Sequence, residues 1–89
     1  MRRAVEAVVS EHGARITATL IGLCDGDFQL AEDAFQEALI VALERWPRDG
    51  LPQSPEAWII TAARRKAIDQ LRRGRTLQRK QQMLQALLE

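Results

Sequence analysis

The sequence contains few of the residues on which small enzymes and secreted domains depend. Its 89 residues include a single cysteine, Cys24, and a single histidine, His12. One cysteine excludes an internal disulfide framework and fits a reducing cytoplasm, where we expect this protein to act. One histidine and one cysteine cannot form a metal cluster of recognised spacing. We therefore predict no disulfide, no metal site and no cofactor.

Long apolar runs are also missing. No stretch of about 18 apolar residues is present, so we expect no membrane span and no membrane partner. The first fifteen residues contain Glu6 and Glu11 and lack the continuous apolar core of a secretory signal. The two serines, Ser10 and Ser54, offer no plausible triad with His12 and a carboxylate. The sequence therefore predicts a protein that is not an enzyme.

Charge is unevenly divided along the chain. Residues 1–63 carry five basic and ten acidic side chains, for a net charge of −5, whereas residues 64–89 carry eight basic and two acidic ones, for a net charge of +6. This asymmetry indicates either two different partners or one intramolecular attraction. We favour two partners, because the basic part contains so few carboxylates of its own.

The hydrophobic pattern has a helical period throughout and predicts an all-α fold. We expect a small bundle of three main helices, at about 3–23, 28–46 and 55–73, plus a shorter C-terminal linker helix that begins at Thr76. The first helix has a weak point at 10–13 or is two short helices, since its register continues through Gly13. The residues expected in the core are Phe28, Phe35, Ala38, Leu39, Ala42, Ile60, Ala63, Ala67 and Leu71.

The third predicted helix has one apolar half and one cationic half. Ser54 is suited to cap its start, Pro55 fits the first helical position, and Gly74 is a natural stop. A tryptophan beside arginines on a polar face suits nucleic-acid bases and phosphates. The alternative is an amphipathic helix whose arginines are merely solvated. The residues of this face are Trp58, Arg65, Lys66, Asp69, Arg72 and Arg73.

The outer face of the second predicted helix is acidic, with an apolar residue in its middle. Asp33, Gln36, Glu37 and Glu44 share this face with Ile40. A buried apolar centre inside a polar rim is typical of a protein interface. A solvated acidic face with one stray isoleucine is the alternative.

The segment PRDGLPQS connects the second and third predicted helices. Together with Pro55 it holds all three prolines of the chain. This composition predicts a stiff, irregular loop rather than a further helix. We expect Leu51 to pack back onto the core.

Two stretches in the correct order resemble a known family. AEDAFQEALIVALERW, followed by a short loop and EAWIITAARRKAIDQLRR, resembles region 2 of the extracytoplasmic-function (group IV) RNA polymerase sigma factors. The resemblance covers about residues 16–75. It implies a sigma2-like domain over residues 1–75. Residues 76–89 would then begin a linker towards a C-terminal domain that this chain lacks.

The resemblance also implies partners and site residues. Asp33, Gln36, Glu37 and Ile40 would dock on the clamp helices of the largest subunit of core RNA polymerase. The third helix would read the promoter −10 element, with Arg65, Asp69, Arg72 and Arg73 at matching positions. An anti-sigma factor is a further candidate partner. A loop that captures a non-template base would consist of Gly50, Leu51, Pro52, Gln53 and Ser54.

The sequence departs from the family pattern at Arg65, where the family commonly has asparagine. Asparagine pairs bidentately with an adenine edge, whereas arginine offers donors only, so the base preference at this contact is open. Arg64 falls among apolar positions, and we expect it to be ion-paired. Two other functions remain: a helical adaptor that binds a protein, and a helix-turn-helix-like DNA-binding regulator. The second is disfavoured by a connector about twice as long as a 3–4-residue turn.

Overall fold

The computed structural model describes residues 2–89, and all of their regular structure is helical. Helix α1 spans Arg2–Leu23, α2 spans Phe28–Asp49 and α3 spans Pro55–Leu88. No strand occurs among these residues. The predicted all-α class with three main helices is therefore confirmed. No helix within residues 2–89 is both long enough and apolar enough to cross a bilayer.

The core combines a row of alanines on α2 with larger side chains from all three helices. Ile16 and Leu20 of α1, Trp46 of α2 and Ile59 of α3 are its largest fully buried side chains. Between them, α2 buries a row of alanines. Since alanine adds little bulk, such a row lets neighbouring helices approach closely. The row consists of Ala31, Ala34, Ala38 and Ala42.

The predicted core is wrong at two residues, Phe28 and Leu71, which are both exposed. Phe28 is 60% exposed, because it is the first residue of α2 and α1 has already ended at Leu23. Leu71 is 44% exposed, because it lies beyond Ala67, the last buried residue of α3. The other predicted core residues are buried or pack half-buried against the core: Phe35, Ala38, Leu39, Ala42, Ile60, Ala63 and Ala67.

Two helices run through residues that the sequence suggested as breaks. Helix α1 is unbroken at Gly13, so the one-helix alternative holds. Helix α2 passes Pro47 and ends at Asp49, three residues later than predicted. Pro47 removes one backbone donor, but the N–H of Gly50 still donates to the Trp46 carbonyl at 2.9 Å and completes the last turn. The connector to α3 is therefore five residues long. Its predicted length, the argument against a helix-turn-helix regulator, is wrong.

The predicted stop at Gly74 is also wrong. Helix α3 continues to Leu88 in one piece, so the expected shorter C-terminal helix is its continuation. An interior glycine costs a helix only about 1 kcal/mol, and residues that favour helix follow Gly74. At 1.5 Å per residue, α3 is about 51 Å long and α1 and α2 about 33 Å each. We call residues 71–88, all of them exposed, the overhang.

Candidate protein and nucleic-acid interfaces

The acidic face of α2 lies opposite the alanine row, as the 3.6-residue period requires. Ile40 is 54% exposed at its centre. Gln36 is exposed, whereas Asp33 and Glu37 are half-buried. The Asp33 carboxylate accepts a hydrogen bond from Gln29 Nε2 at 2.9 Å, which orients it on this face. The four residues predicted for polymerase docking therefore form one continuous surface.

A groove between α2 and α3 contains the third helix's tryptophan. We call it the tryptophan groove, and its volume is about 410 Å³. Its lining combines apolar side chains with three cations, Arg45, Arg65 and Lys66. Such a lining can hold a flat aromatic group while the cations contact phosphates. The remaining lining residues are Val41, Ala57, Trp58, Thr61 and Ala62.

Trp58 is less exposed to solvent than its position on α3 indicates. The sequence places it on the polar half of α3, yet it is half-buried and packs against the core. Its ring meets that of Trp46 edge to face, with centroids 5.3 Å apart and planes at 69°. Trp46 is 1% exposed and its buried Nε1 has no hydrogen-bond partner among residues 2–89. Trp46 therefore contributes through packing in the core, and its edge-to-face contact holds the Trp58 ring in place.

The basic residues of the overhang are free of intramolecular ion pairs. Arg72 and Arg73 line a second shallow groove with Thr76, Leu77 and Lys80. Within residues 2–89, every contact of 4.0 Å or less between a basic side chain and a carboxylate involves a basic residue of α1. The charge pattern left open an attraction between the acidic and the basic part of the chain, but within residues 2–89 no ion pair joins the two. Arg64 is likewise exposed without a carboxylate partner in this part of the chain, so its predicted ion pair is wrong.

The predicted base-capture loop coincides with the connector between α2 and α3. Gly50 has a φ of +86°, which glycine adopts without strain. Ser54 caps α3 by accepting from the Ala57 N–H at 3.4 Å. Leu51 is 52% exposed, so the expectation that it packs onto the core is wrong. Leu51, Gln53 and Ser54 line a groove facing α1, whereas the tryptophan groove contains no loop residue.

Two parts of the site escaped the sequence analysis. Arg45 of α2 joins the tryptophan groove only because α2 and α3 pack side by side. An ion-pair network also ties α1 to the first turn of α3: Arg15 Nε lies 2.9 Å from Glu56 Oε1, and Arg15 Nη2 lies 3.0 Å from His12 Nδ1. The i, i+3 spacing of His12 and Arg15 was the only feature of the sequence that indicated this network, and nothing in the sequence indicated that Glu56 joins it.

Cys24 closes the turn between α1 and α2. It is buried, as expected of a small hydrophobe. Burial raises the pKa of its thiol, and the negative charges of Asp27 and Asp25 raise it further. The thiol is thus held in its neutral, unreactive form. No group of three or more potential metal ligands occurs among the described residues 2–89.

Comparison with known proteins identifies the family. A segment of this chain is 53% identical over 47 residues to an uncharacterized protein of Rhizobium meliloti (strain 1021). The match covers 53% of this chain and 11% of that longer relative. No solved structure matches. The family model for sigma-70 region 2 matches residues 8–76, which is most of the chain and includes the whole of α2 and parts of α1 and α3. The chain therefore belongs to the sigma-70 region 2 family.

Proposed function

We propose that this domain docks on core RNA polymerase through α2 and captures a base of the promoter −10 element through α3 and the connecting loop. The observation that carries the proposal is the separation of two surfaces of opposite charge. The acidic face with Ile40 lies on the outside of α2, and the cations lie on α3. Neither surface neutralises the other within residues 2–89, so both are available to partners.

Docking on the polymerase uses the α2 face. Asp33, Gln36 and Glu37 surround Ile40, which gives an apolar centre within a polar rim. The partner surface on the clamp helices of the largest subunit would then be basic, with a small apolar depression. Electrostatic complementarity of this kind mainly accelerates association and selects the partner.

Engagement of DNA uses the length of α3. Trp58 and Arg72 are fourteen residues apart, or about 21 Å along the helix. At 3.4 Å per nucleotide of one strand, this distance spans about six nucleotides. Arg65 and Lys66 beside Trp58, and Arg72 and Arg73 on the overhang, are therefore spaced to follow a backbone. Asp69 between them is exposed and limits how closely phosphates approach.

Strand opening requires that one base leaves the stack. Extrusion costs a few kcal/mol, and contacts to the extruded base must offset this cost. Gly50, Leu51, Pro52, Gln53 and Ser54 form the connector that would hold the base, with Gln53 as a polar reader. Stacking of a neighbouring base in the tryptophan groove would stabilise the opened strand further. No covalent step is needed.

The experiment is a pull-down of core RNA polymerase by the 89-residue chain, followed by titration of the complex with promoter DNA. We expect stoichiometric capture of polymerase, and tighter binding to single-stranded non-template −10 DNA than to duplex. Gln53→Ala should alter the preference at a single position. Capture of polymerase without salt-dependent DNA binding would instead indicate an adaptor. If loop variants lose affinity equally for every base, the loop does not read a base, and only electrostatic positioning of the DNA remains.

Two further statements depend on this proposal. Core polymerase and promoter DNA lie in the bacterial cytoplasm, so the domain would act there. An anti-sigma factor would act by covering the acidic face of α2 or the cationic face of α3. Competition between such a factor and core polymerase in the pull-down is the corresponding measurement.

A further inference from the structure

The groove beside the connecting loop has a second wall that the proposed function does not use. The N-terminal half of α1 supplies this wall, with Glu11 and His12 facing Gln53 and Ser54 across the groove. Its volume is about 380 Å³, within the range of small-molecule sites. Leu51 and Val8 contribute apolar surface. A base held by the loop would therefore also contact α1.

Hydrogen bonds fix the roles of the polar groups in this wall. Arg15 Nη2 lies 3.0 Å from His12 Nδ1, and a guanidinium has donors only. An acceptor at His12 Nδ1 satisfies Arg15 and leaves Nε2 to donate into the groove; Glu56 Oε2 also lies 3.5 Å from Nδ1. Arg15 also donates to Glu56 Oε2 at 3.2 Å, so the Glu56 carboxylate is already engaged.

Glu11 is left as the open acceptor of the groove. Its side chain is 70% exposed and forms no hydrogen bond with another residue of the described chain. Glu11 Oε2 lies 3.8 Å from His12 Nε2, too far for a hydrogen bond between them. This acceptor and this donor are close enough to bind two neighbouring atoms of one base edge.

We infer that Glu11 and His12 read the extruded base and select adenine or cytosine. Both bases present an amino group beside an unprotonated ring nitrogen on their pairing edge. The Glu11 carboxylate accepts from the amino group, and the His12 Nε2–H donates to the ring nitrogen. Thymine and guanine carry a proton on the corresponding ring nitrogen, which would face the His12 donor. This inference rests on the proposed capture of a base by the loop.

The test is a titration of the chain, alone and bound to core polymerase, with single-stranded oligonucleotides in which one base is varied in turn. We expect one position at which adenine and cytosine bind about tenfold more tightly than guanine and thymine. Glu11→Gln, whose amide is both donor and acceptor, should reduce this ratio to about 2 or less. The matched control is Glu6→Gln on the same helix, where the carboxylate is paired with Arg2 outside the groove. It should keep the wild-type ratio.

Three results would overturn the inference. They are a preference for thymine or guanine, an unchanged ratio in Glu11→Gln, and an equal loss of preference in Glu6→Gln. An unchanged ratio in Glu11→Gln beside a changed preference in Gln53→Ala would refute the inference alone and leave the proposed function standing. Salt-dependent binding without any base preference would refute the inference and the proposed capture of a base together. Failure to bind both polymerase and DNA would refute the two together.

Discussion

The ring of Trp58 rests edge to face on that of Trp46, with their centroids 5.3 Å apart. Trp46 is fully buried near the end of α2, whereas Trp58 lies in the first turns of α3 and lines the tryptophan groove. Edge-to-face pairs contribute about 0.5–1.5 kcal/mol beyond the area they bury. One tryptophan therefore serves the core, and it positions the other at the surface.

Replacing Trp58 should weaken binding to single-stranded DNA and leave the salt dependence of that binding nearly unchanged. Trp58→Leu keeps apolar bulk but removes the aromatic face, so we expect a loss of about 1–3 kcal/mol in affinity. Fluorescence anisotropy at several salt concentrations measures both quantities. Phe35→Leu, at a half-buried aromatic residue that does not line the groove, is the matched control. Equal losses in the two variants would refute a direct role for Trp58.

Replacing Arg72 should have the opposite signature. Arg72 is exposed on the overhang without a carboxylate partner in the described chain, so its charge is available to a phosphate. We expect Arg72→Ala to weaken binding to all sequences and to reduce the salt slope by about 1. Arg3→Ala, at an exposed arginine on α1, should leave the slope unchanged. An unchanged slope in Arg72→Ala would remove this contact from the account.

The overhang can be tested through Gly74. An added Cβ at this position meets no atom within 4 Å. Gly74→Ala should therefore raise the helix content, because it stabilises the helix locally by about 1 kcal/mol. Gly74→Pro should disrupt the helix at this point, because proline removes a backbone hydrogen bond and clashes with the preceding turn. Circular dichroism of both variants is the measurement, and equal helix content would mean that α3 already ends near Gly74.

The buried Cys24 thiol predicts a dependence of stability on alkaline pH. Because the folded-state pKa of Cys24 is raised by burial, the unfolded chain loses this proton first as the pH rises. The stability that Cys24 contributes is present below the ordinary thiol pKa and is lost above it. Urea unfolding of the wild type and of Cys24→Ala should therefore give free energies that converge as pH increases beyond about 8.5. A constant difference would contradict the raised pKa.

The helical period and the capping residues predicted most of the fold. Ser54 was correctly expected to cap the start of α3, and its side chain accepts from the first turn, as the Asp27 side chain does at the start of α2. The end of α3 was not predictable from Gly74, because the small cost of one glycine competes with the gain from fourteen further helical residues. Position in the sequence could not show that Phe28 lies past the end of its neighbouring helix.

The site was predicted in part, for a related reason. Residues that share one helix face were found from their spacing, as with Asp33 and Ile40. Contacts between helices were missed, because Arg45 joins the tryptophan groove and Glu56 meets Arg15 only through tertiary packing. The roles of the predicted site residues in binding remain predictions.

The central claim is that the acidic face of α2 binds core RNA polymerase. The most direct measurement is the dissociation constant of the chain for core polymerase, compared among the wild type, Glu37→Lys and Glu32→Lys. Glu32 is exposed on the same helix but projects about 140° away from Glu37. We predict that Glu37→Lys weakens binding by at least tenfold, with unfolding free energy within about 0.5 kcal/mol of wild type, and that Glu32→Lys binds normally. Normal binding by both single variants, Glu37→Lys and Ile40→Ala, would contradict this claim.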